Sequence, residues 1–224
     1  MTVPSFSSIL EAARTRLGAV AFEARLTRPR TPAELKAVAD DRYLSQMELR
    51  IFRAGLKHSL VDAKWPAFEE VFDGFEPRRV RAMSDEALEA LLGDRRLIRH
   101  WGKLKSVRDN AAAMIGVAEE HGSFGAWLAD WPGTDIVGLW EVLAKRFSQM
   151  GGNSGPSFLR MVGKDTFVLT HSVTAALKRW GAADTPPKNR KDRAAVQSHF
   201  NAWAQETGRP LCQLSLILAA SVDE

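Results

Sequence analysis

Three glycines within five residues, Gly151, Gly152 and Gly155, interrupt a chain whose other segments are mostly typical of helices. Glycine tolerates tight turns and close approach of the backbone to a ligand. Pro156 follows them, and proline is favoured where a helix begins. Residues 150–171 therefore predict a tight turn that leads into a short helix. Helix N-termini expose N–H groups that bind phosphate, but an ordinary loop between two helices fits the spacing equally well.

Helical periodicity dominates the rest of the sequence, and only Phe167–Leu169 resembles a strand. Gly55 predicts a break between two helices, and Pro66 predicts a kink or restart in the second. We therefore expect an all-α fold of roughly ten short helices. A hydrophobic fraction of 45% supports a sizeable core, so residues 1–224 are expected to form one two-lobed helical domain. The clearest helical patterns cover residues 5–25, 41–56, 101–121, 172–180, 194–206 and 211–222.

Charge and cysteine content limit the class of partner and the compartment. A net charge of +4 permits a nucleic-acid partner without requiring one. The single cysteine, Cys212, excludes an internal disulfide and a cysteine-rich zinc site, which suits a reducing compartment. The first residues lack the apolar run of a signal peptide, and no apolar window is long enough to cross a membrane. We therefore expect a cytoplasmic protein that makes no membrane contact.

Positive charge also gathers near the start of the helix predicted over residues 101–121. Lys103, Lys105 and Arg108 lie there, where they oppose the helix dipole. An anionic partner would offset that cost, whereas a solvated basic face would need no partner. The sequence leaves both interpretations open.

Three sequence blocks together resemble the helix-hairpin-helix DNA glycosylase superfamily, and within it the 3-methyladenine DNA glycosylase I family. They are FRAGLKH at residues 52–58, LIRHWGKLKSVRDNA at residues 97–111 and KRFSQMGGNSGPSFLRMVG at residues 145–163. The resemblance covers about residues 43–180, and the helix-hairpin-helix itself about residues 140–163. It implies a two-lobed helical fold that binds double-stranded DNA.

The resemblance also implies an activity and a set of roles. The protein would flip an alkylated base out of DNA and hydrolyse its N-glycosidic bond in base-excision repair, acting as a monomer. Gly55 and Leu56 would form a wedge that fills the gap left by the flipped base. Lys103 and Lys164 would add phosphate contacts to those of the hairpin. The backbone N–H groups of the hairpin that would hold a DNA phosphate belong to Gly151, Gly152, Asn153, Ser154 and Gly155.

The base pocket departs from the family pattern. Arg50 stands where the family has a glutamate that recognises the base, and His58 stands where it has a stacking tryptophan. Because 3-methyladenine in DNA is cationic, Arg50 would repel it. Either a nearby acid such as Glu48 or Asp62 substitutes, or the lesion preference has changed. The pocket residues implied by the resemblance are His58, Phe52, Arg50 and Thr170.

No catalytic residue can be assigned, because Thr170 occupies the helix cap where most of the superfamily has an aspartate. The resembled family also lacks that aspartate. No lysine stands where a lyase would need one, and Lys164 comes too early in the chain, so a monofunctional enzyme is expected. The family's zinc clasp is missing, since only Cys212 is present, and the one ion expected is a monovalent cation at the hairpin. The alternatives are a non-catalytic DNA-binding module and a glycosylase with a shifted lesion preference.

Overall fold

The computed structural model describes residues 5–222, apart from the side chain of Ala19. Within that range the chain forms helices and no strand, which confirms the all-α class. Residues 1–4, which are part of the segment expected to lack a signal peptide, lie outside the described range. The α-helices are α1 (Phe6–Leu17), α2 (Ala19–Glu23), α3 (Pro32–Lys36), α4 (Asp40–Arg53), α5 (His58–Val71), α6 (Pro77–Arg81), α7 (Asp85–Ala90), α8 (Trp101–His121), α9 (Phe124–Asp130), α10 (Ile136–Arg146), α11 (Ser154–Val162), α12 (His171–Arg179), α13 (Arg190–Thr207) and α14 (Leu211–Ala220).

Two compact units divide these helices, and each is built from separate stretches of the chain. The first, which we call the α4 unit, comprises residues 30–131 and 140–162. The second, the α14 unit, comprises residues 132–139, 163–222 and the described part of the first 29 residues. No helix within residues 5–222 has the length and apolarity needed to cross a lipid bilayer.

Helix α4 lies at the centre of its unit, where it contacts α5, α8, α9 and α11. Its buried face carries Tyr43, Leu44, Met47, Ile51 and Phe52 at helical spacing. Burial of each such side chain contributes about 1.5–3 kcal/mol. An aromatic cluster extends this core, because Phe52 packs on Phe68 with ring centroids 4.6 Å apart. The packing fixes the end of α4, which leads directly into the segment around Gly55.

Helix α14 is the apolar centre of the other unit and contacts α1, α12 and α13. Asp165, which is distant in sequence, caps the N-terminus of α14. Its carboxylate accepts from the backbone N–H groups of Leu211 (2.9 Å) and Cys212 (2.8 Å). Phe167 stacks on Phe200 with centroids 4.1 Å apart. These contacts hold residues 163–170, the segment that ends at Thr170.

Three expectations about local structure need correction. The single helix expected over residues 5–25 is two helices, because Gly18 between them has φ of 75°. Pro66 does not restart a helix, since it lies inside α5, between Trp65 and Phe68, whose rings stack on each other. Pro156 is the third residue of α11 rather than the first. Its missing N–H is harmless there, because first-turn N–H groups have no intrahelical acceptor.

Candidate nucleic-acid interface

The turn between α10 and α11 forms a tight hairpin within the α4 unit. Gly152 has φ of 59°, a left-handed conformation that glycine adopts without strain. The N–H of Ser154 donates to the carbonyl of Gly151 (3.1 Å), and that of Gly155 donates to Met150 (3.2 Å). Gly155 is buried, and a Cβ there would lie 3.2 Å from the carbonyl oxygen of Met150. The hairpin thereby exposes its tip, residues 151–153, to solvent.

The predicted wedge lies in the short loop, residues 54–57, between α4 and α5. Gly55 has φ of 77° and turns the chain, so that Leu56 keeps 37% of its surface exposed. Lys103, on α8, donates from Nζ to the carbonyls of Phe52 (3.2 Å) and Ala54 (2.8 Å). These carbonyls end α4, where the helix itself supplies no donors. The ammonium group of Lys103 therefore fixes the loop that carries the wedge.

Lys103 consequently does not have the role that we predicted for it. Its side chain is 8% exposed and is occupied by two carbonyls, which disagrees with a phosphate contact. Burial, together with the nearby charge of Arg50, lowers the pKa of Lys103. Lys164 is 7% exposed and is likewise too buried for a phosphate contact. Both assignments were wrong because charge pattern alone does not reveal which lysines fold inward.

The hairpin is fastened to the same end of α8. Gln149 donates from Nε2 to the carbonyl of Gly102 at 2.8 Å. Asn110, about two turns further along α8, accepts from the N–H of Ser148 (2.6 Å) and donates to the carbonyl of Ser148 (3.2 Å). The start of α8 thus supports both the hairpin and the wedge loop. The sequence analysis indicated neither Gln149 nor Asn110, which is one of three buried polar residues on α8, with Lys103 and Ser106.

Glu48 lies at 0% exposure on α4 and connects that helix to the same network. Its Oε1 accepts from Nδ2 of Asn110 at 2.7 Å, and Ser106 Oγ lies 3.4 Å from Oε2. Burial raises the pKa of Glu48 from an ordinary value of 4.5 to about 8, so the carboxyl is protonated at neutral pH. Since the Ser106 hydroxyl donates to the carbonyl of Lys103 (2.7 Å), its oxygen can accept the Glu48 proton.

Neither acid considered as a replacement at the base pocket is available. Glu48 is buried and neutral, and Asp62 forms an ion pair with Arg53 at 2.7 Å. Arg50 is half-buried, and its Nε has no hydrogen-bond partner within residues 5–222. Burial and the charge of Arg53 lower the pKa of Arg50. The α4 unit therefore presents positive charge where the resemblance implied a carboxylate.

The other predicted pocket residues have different surroundings. Phe52 is fully buried against Phe68, so it belongs to the core rather than to a pocket wall, which corrects the prediction. His58 is exposed at the first position of α5. Thr170 belongs to the α14 unit, where its hydroxyl caps α12 by accepting from the N–H of Val173 at 3.2 Å. Its place in a base pocket stays a prediction.

The metal ligands implied by the superfamily can be compared with the residues present. Cys212 is buried, and its Sγ donates to the carbonyl of Thr27 at 3.6 Å, so the chain lacks the donors of a two-cysteine zinc clasp. At the hairpin, the carbonyls of Ser148, Met150 and Gly151 accept internal hydrogen bonds. A carbonyl oxygen has two lone pairs. The hairpin therefore retains oxygen donors of the type that a monovalent cation takes.

Comparison with known proteins places this geometry among related folds. A sequence model of the methyladenine glycosylase family matches residues 35–148, half of the chain. The structure of a 3-methyladenine DNA glycosylase I is 24% identical over 64% of this chain and 86% of its own, with a TM-score of 0.51. The Methanocaldococcus jannaschii 8-oxoguanine DNA glycosylase is 15% identical over 95% of this chain and 90% of its own, with a TM-score of 0.57. No curated protein matches the chain in sequence.

The protonated Glu48 predicts a pH-dependent stability. The folded state binds this proton more tightly than the unfolded chain, so the stabilisation is complete below pH 4.5 and is lost as pH rises through about 8. Glu48→Gln keeps the shape and stays neutral. We expect its free energy of unfolding to exceed that of the wild type by about 3–5 kcal/mol above pH 8 and to match it near pH 4.5. Urea unfolding measured across this pH range checks the difference.

Glu119→Gln is the matched control, because Glu119 is exposed on the same helix as Asn110. It should leave the pH profile of the wild type unchanged. A constant difference between wild type and Glu48→Gln at every pH would show that Glu48 is ionised in the folded protein.

Proposed function

The chain belongs to the methyladenine glycosylase family, and we propose that it is a monofunctional enzyme of the 3-methyladenine type. It is a DNA glycosylase that acts on alkylated bases in DNA repair. One observation supports the proposal: α8 holds both the hairpin and the wedge loop, through hydrogen bonds of Gln149 and Lys103. One element that can bind a backbone and one that can enter a base stack are thereby held in a fixed relation.

In this proposal the hairpin anchors the DNA backbone. The exposed N–H groups at Gly151, Gly152 and Asn153 would contact a phosphate, independently of base sequence. Leu56 would enter the stack where the damaged base leaves it. Unstacking a base requires a few kcal/mol, and an apolar side chain in the gap offsets part of that amount.

The chemistry is hydrolysis of the bond between the base and C1′ of the sugar by water. Thr170 cannot deprotonate water at neutral pH. Much of the lowering of the reaction barrier must therefore come from the leaving group. A 3-methylated adenine is cationic while attached to the sugar, and it departs as a neutral molecule. Lys103 and Lys164 are both buried, which supports a mechanism without a covalent lysine intermediate. DNA phosphates would stabilise the oxocarbenium-like sugar.

Arg50 has a defined effect on such a reaction. Its charge repels the cationic base in the ground state, and the repulsion weakens as positive charge moves from the base onto the sugar. An interaction that is least unfavourable in the transition state accelerates the reaction. Arg50 would thereby weaken base binding and promote base departure.

A second candidate function is a glycosylase with a shifted lesion preference. The half-buried guanidinium of Arg50 favours it, because guanidinium groups bind the acceptor edges of neutral bases. In that case Arg50 would recognise the base by a hydrogen bond rather than destabilise it.

We further propose that the enzyme acts as a monomer in the cytoplasm on double-stranded DNA. It would require no zinc, and the one ion would be a monovalent cation held by carbonyls of the hairpin.

Base release from methylated duplex DNA tests the proposed function. The purified protein should release 3-methyladenine and leave intact abasic sites that break only on later treatment with alkali. Borohydride should trap no protein–DNA adduct, since no lysine attacks the sugar. Release of a different base alone would establish the shifted preference. Duplex binding without release of any base would identify a non-catalytic module.

Replacing Arg50 separates the two roles of that residue. If Arg50 promotes departure of a cationic base, Arg50→Gln should lower both kcat and KM for 3-methyladenine by about tenfold, as expected for loss of one close charge interaction. Arg81→Gln, an exposed site on α6, is the control and should change neither constant. An Arg50→Gln enzyme with a raised KM would instead show that Arg50 holds the base by a hydrogen bond.

The hairpin assignment predicts a sequence-independent loss of DNA affinity. Gly152→Val forces a β-branched residue into a left-handed conformation and should deform the hairpin tip. We expect binding to weaken about tenfold on every duplex sequence, measured by fluorescence anisotropy, with little change in specificity.

Gly208→Val provides the comparison, because Gly208 also has positive φ (66°) and open space around its Cα but caps α13 in the α14 unit. It should lose similar stability and retain DNA affinity. Equal affinities for the two variants would show that the hairpin does not contact DNA.

A further inference from the structure

Three chain segments around the start of α8 contain no acidic residue of their own, although an arginine on each of them pairs with an acid from elsewhere in the chain. None occurs in residues 53–60, 97–108 or 145–162, although the chain contains 27. The side-chain hydrogen bonds of Lys103 and Gln149 bring these three segments together. Lys57, Arg99 and Lys105 are exposed on them. This surface, which we call the α8 face, is complementary in charge to a polyanion.

Large apolar side chains are exposed on the same face. Across the described residues four large hydrophobic side chains are exposed, and three of them, Leu56 (37%), Leu60 (50%) and Trp101 (38%), fall in these segments. The fourth is Val20, in the α14 unit. An exposed aromatic ring among basic residues suits a nucleic acid, because phosphates bind the charges while bases stack on the ring.

Trp101 differs from the other tryptophans of the α4 unit. Trp65, Trp127 and Trp140 are at most 8% exposed and pack in the core, and Trp131 is half-buried. Trp101 is the first residue of α8, directly before Gly102 and Lys103, whose contacts fix the hairpin and the wedge loop. Its indole therefore lies next to the contacts that fasten the hairpin and the wedge loop to α8. A rigid position reduces the entropy lost when a base stacks on it.

We propose that Trp101 stacks on a DNA base that has lost its neighbour when the damaged base is flipped out. The proposal rests on the proposed function, because only base flipping creates such an unstacked base. Leu56 would fill the gap itself, and Trp101 would cover a base beside it. Undamaged duplex offers no exposed base face, so Trp101 should contribute to binding only where a base is missing or extruded.

The test uses the full chain and two duplexes of one sequence, one intact and one with a stable tetrahydrofuran abasic analogue. Trp101→Ala should weaken binding to the abasic duplex about tenfold, as expected for loss of one stacked base. Its affinity for the intact duplex should stay within about threefold. Trp101→Phe retains an aromatic face and should restore most of the lost affinity. Val20→Ala, an exposed apolar site in the α14 unit, is the control and should change neither affinity.

Two further measurements separate stacking from other causes. The salt dependence of binding should be equal for the wild type and Trp101→Ala, since no charge is removed. The fluorescence of Trp101 is obtained as the difference between the wild type and Trp101→Phe. Abasic duplex should quench this fluorescence, whereas intact duplex should not. Equal abasic affinities for the wild type and Trp101→Ala, or equal losses on both duplexes, would overturn the proposal.

The outcome is independent of the base-release experiment. Selective loss of abasic binding without release of any base would leave the stacking role established and the proposed activity refuted. Base release by the wild type, together with normal abasic binding by Trp101→Ala, would establish the proposed activity and refute the stacking role. The stacking role would be overturned if the wild type bound both duplexes with equal affinity. It would also be overturned if Trp101 were buried in a contact with a protein partner.

Discussion

The buried ammonium group of Lys103 is the interaction on which the candidate site depends. It donates to the carbonyls of Phe52 and Ala54, which end α4 and have no helical donor. A buried charge is stable only when such partners satisfy it. The contact works in both directions, since the carbonyls keep the lysine charged and the lysine fixes the loop that carries Leu56. The preceding residue, Gly102, accepts from Gln149 of the hairpin. Two consecutive residues therefore set the positions of both elements that we propose to contact DNA.

A second layer of polar contacts stabilises this arrangement from within. Protonated Glu48 joins α4 to Asn110 of α8, and Asn110 in turn holds both backbone groups of Ser148 before the hairpin. The Glu48–Asn110 hydrogen bond is buried and the two to Ser148 are part-buried, and a buried polar group left without its partner would cost about 1–3 kcal/mol. The chain thereby uses a neutral carboxyl to connect three segments that are distant in sequence. The carboxyl that most resembles a catalytic acid in its pKa is, in its contacts, a structural one.

The sequence predicted elements whose signals are local. The predicted bounds of α8 agree with the structure, because its periodicity lies within the helix and the residues that end it, His100 and Gly122, directly flank it. Burial is set by the whole fold, and the sequence therefore misplaced Phe52, Lys103 and Lys164. An exposed lysine and a buried one with carbonyl partners have the same pattern of neighbours. Gln149 gave no signal at all, since its role depends on a helix 47 residues earlier.

The proposed mechanism divides affinity and chemistry between different parts of this chain. In it, the hairpin and the α8 face bind DNA without contacting the damaged base, whereas Arg50 acts on the base and opposes binding of a cationic one. Binding energy obtained away from the reacting bond can offset an unfavourable contact beside it, and it promotes the reaction when that contact eases in the transition state. A pocket without a carboxylate is then compatible with base excision. The requirement is that the α4 unit holds the DNA firmly, which the contacts at the start of α8 favour.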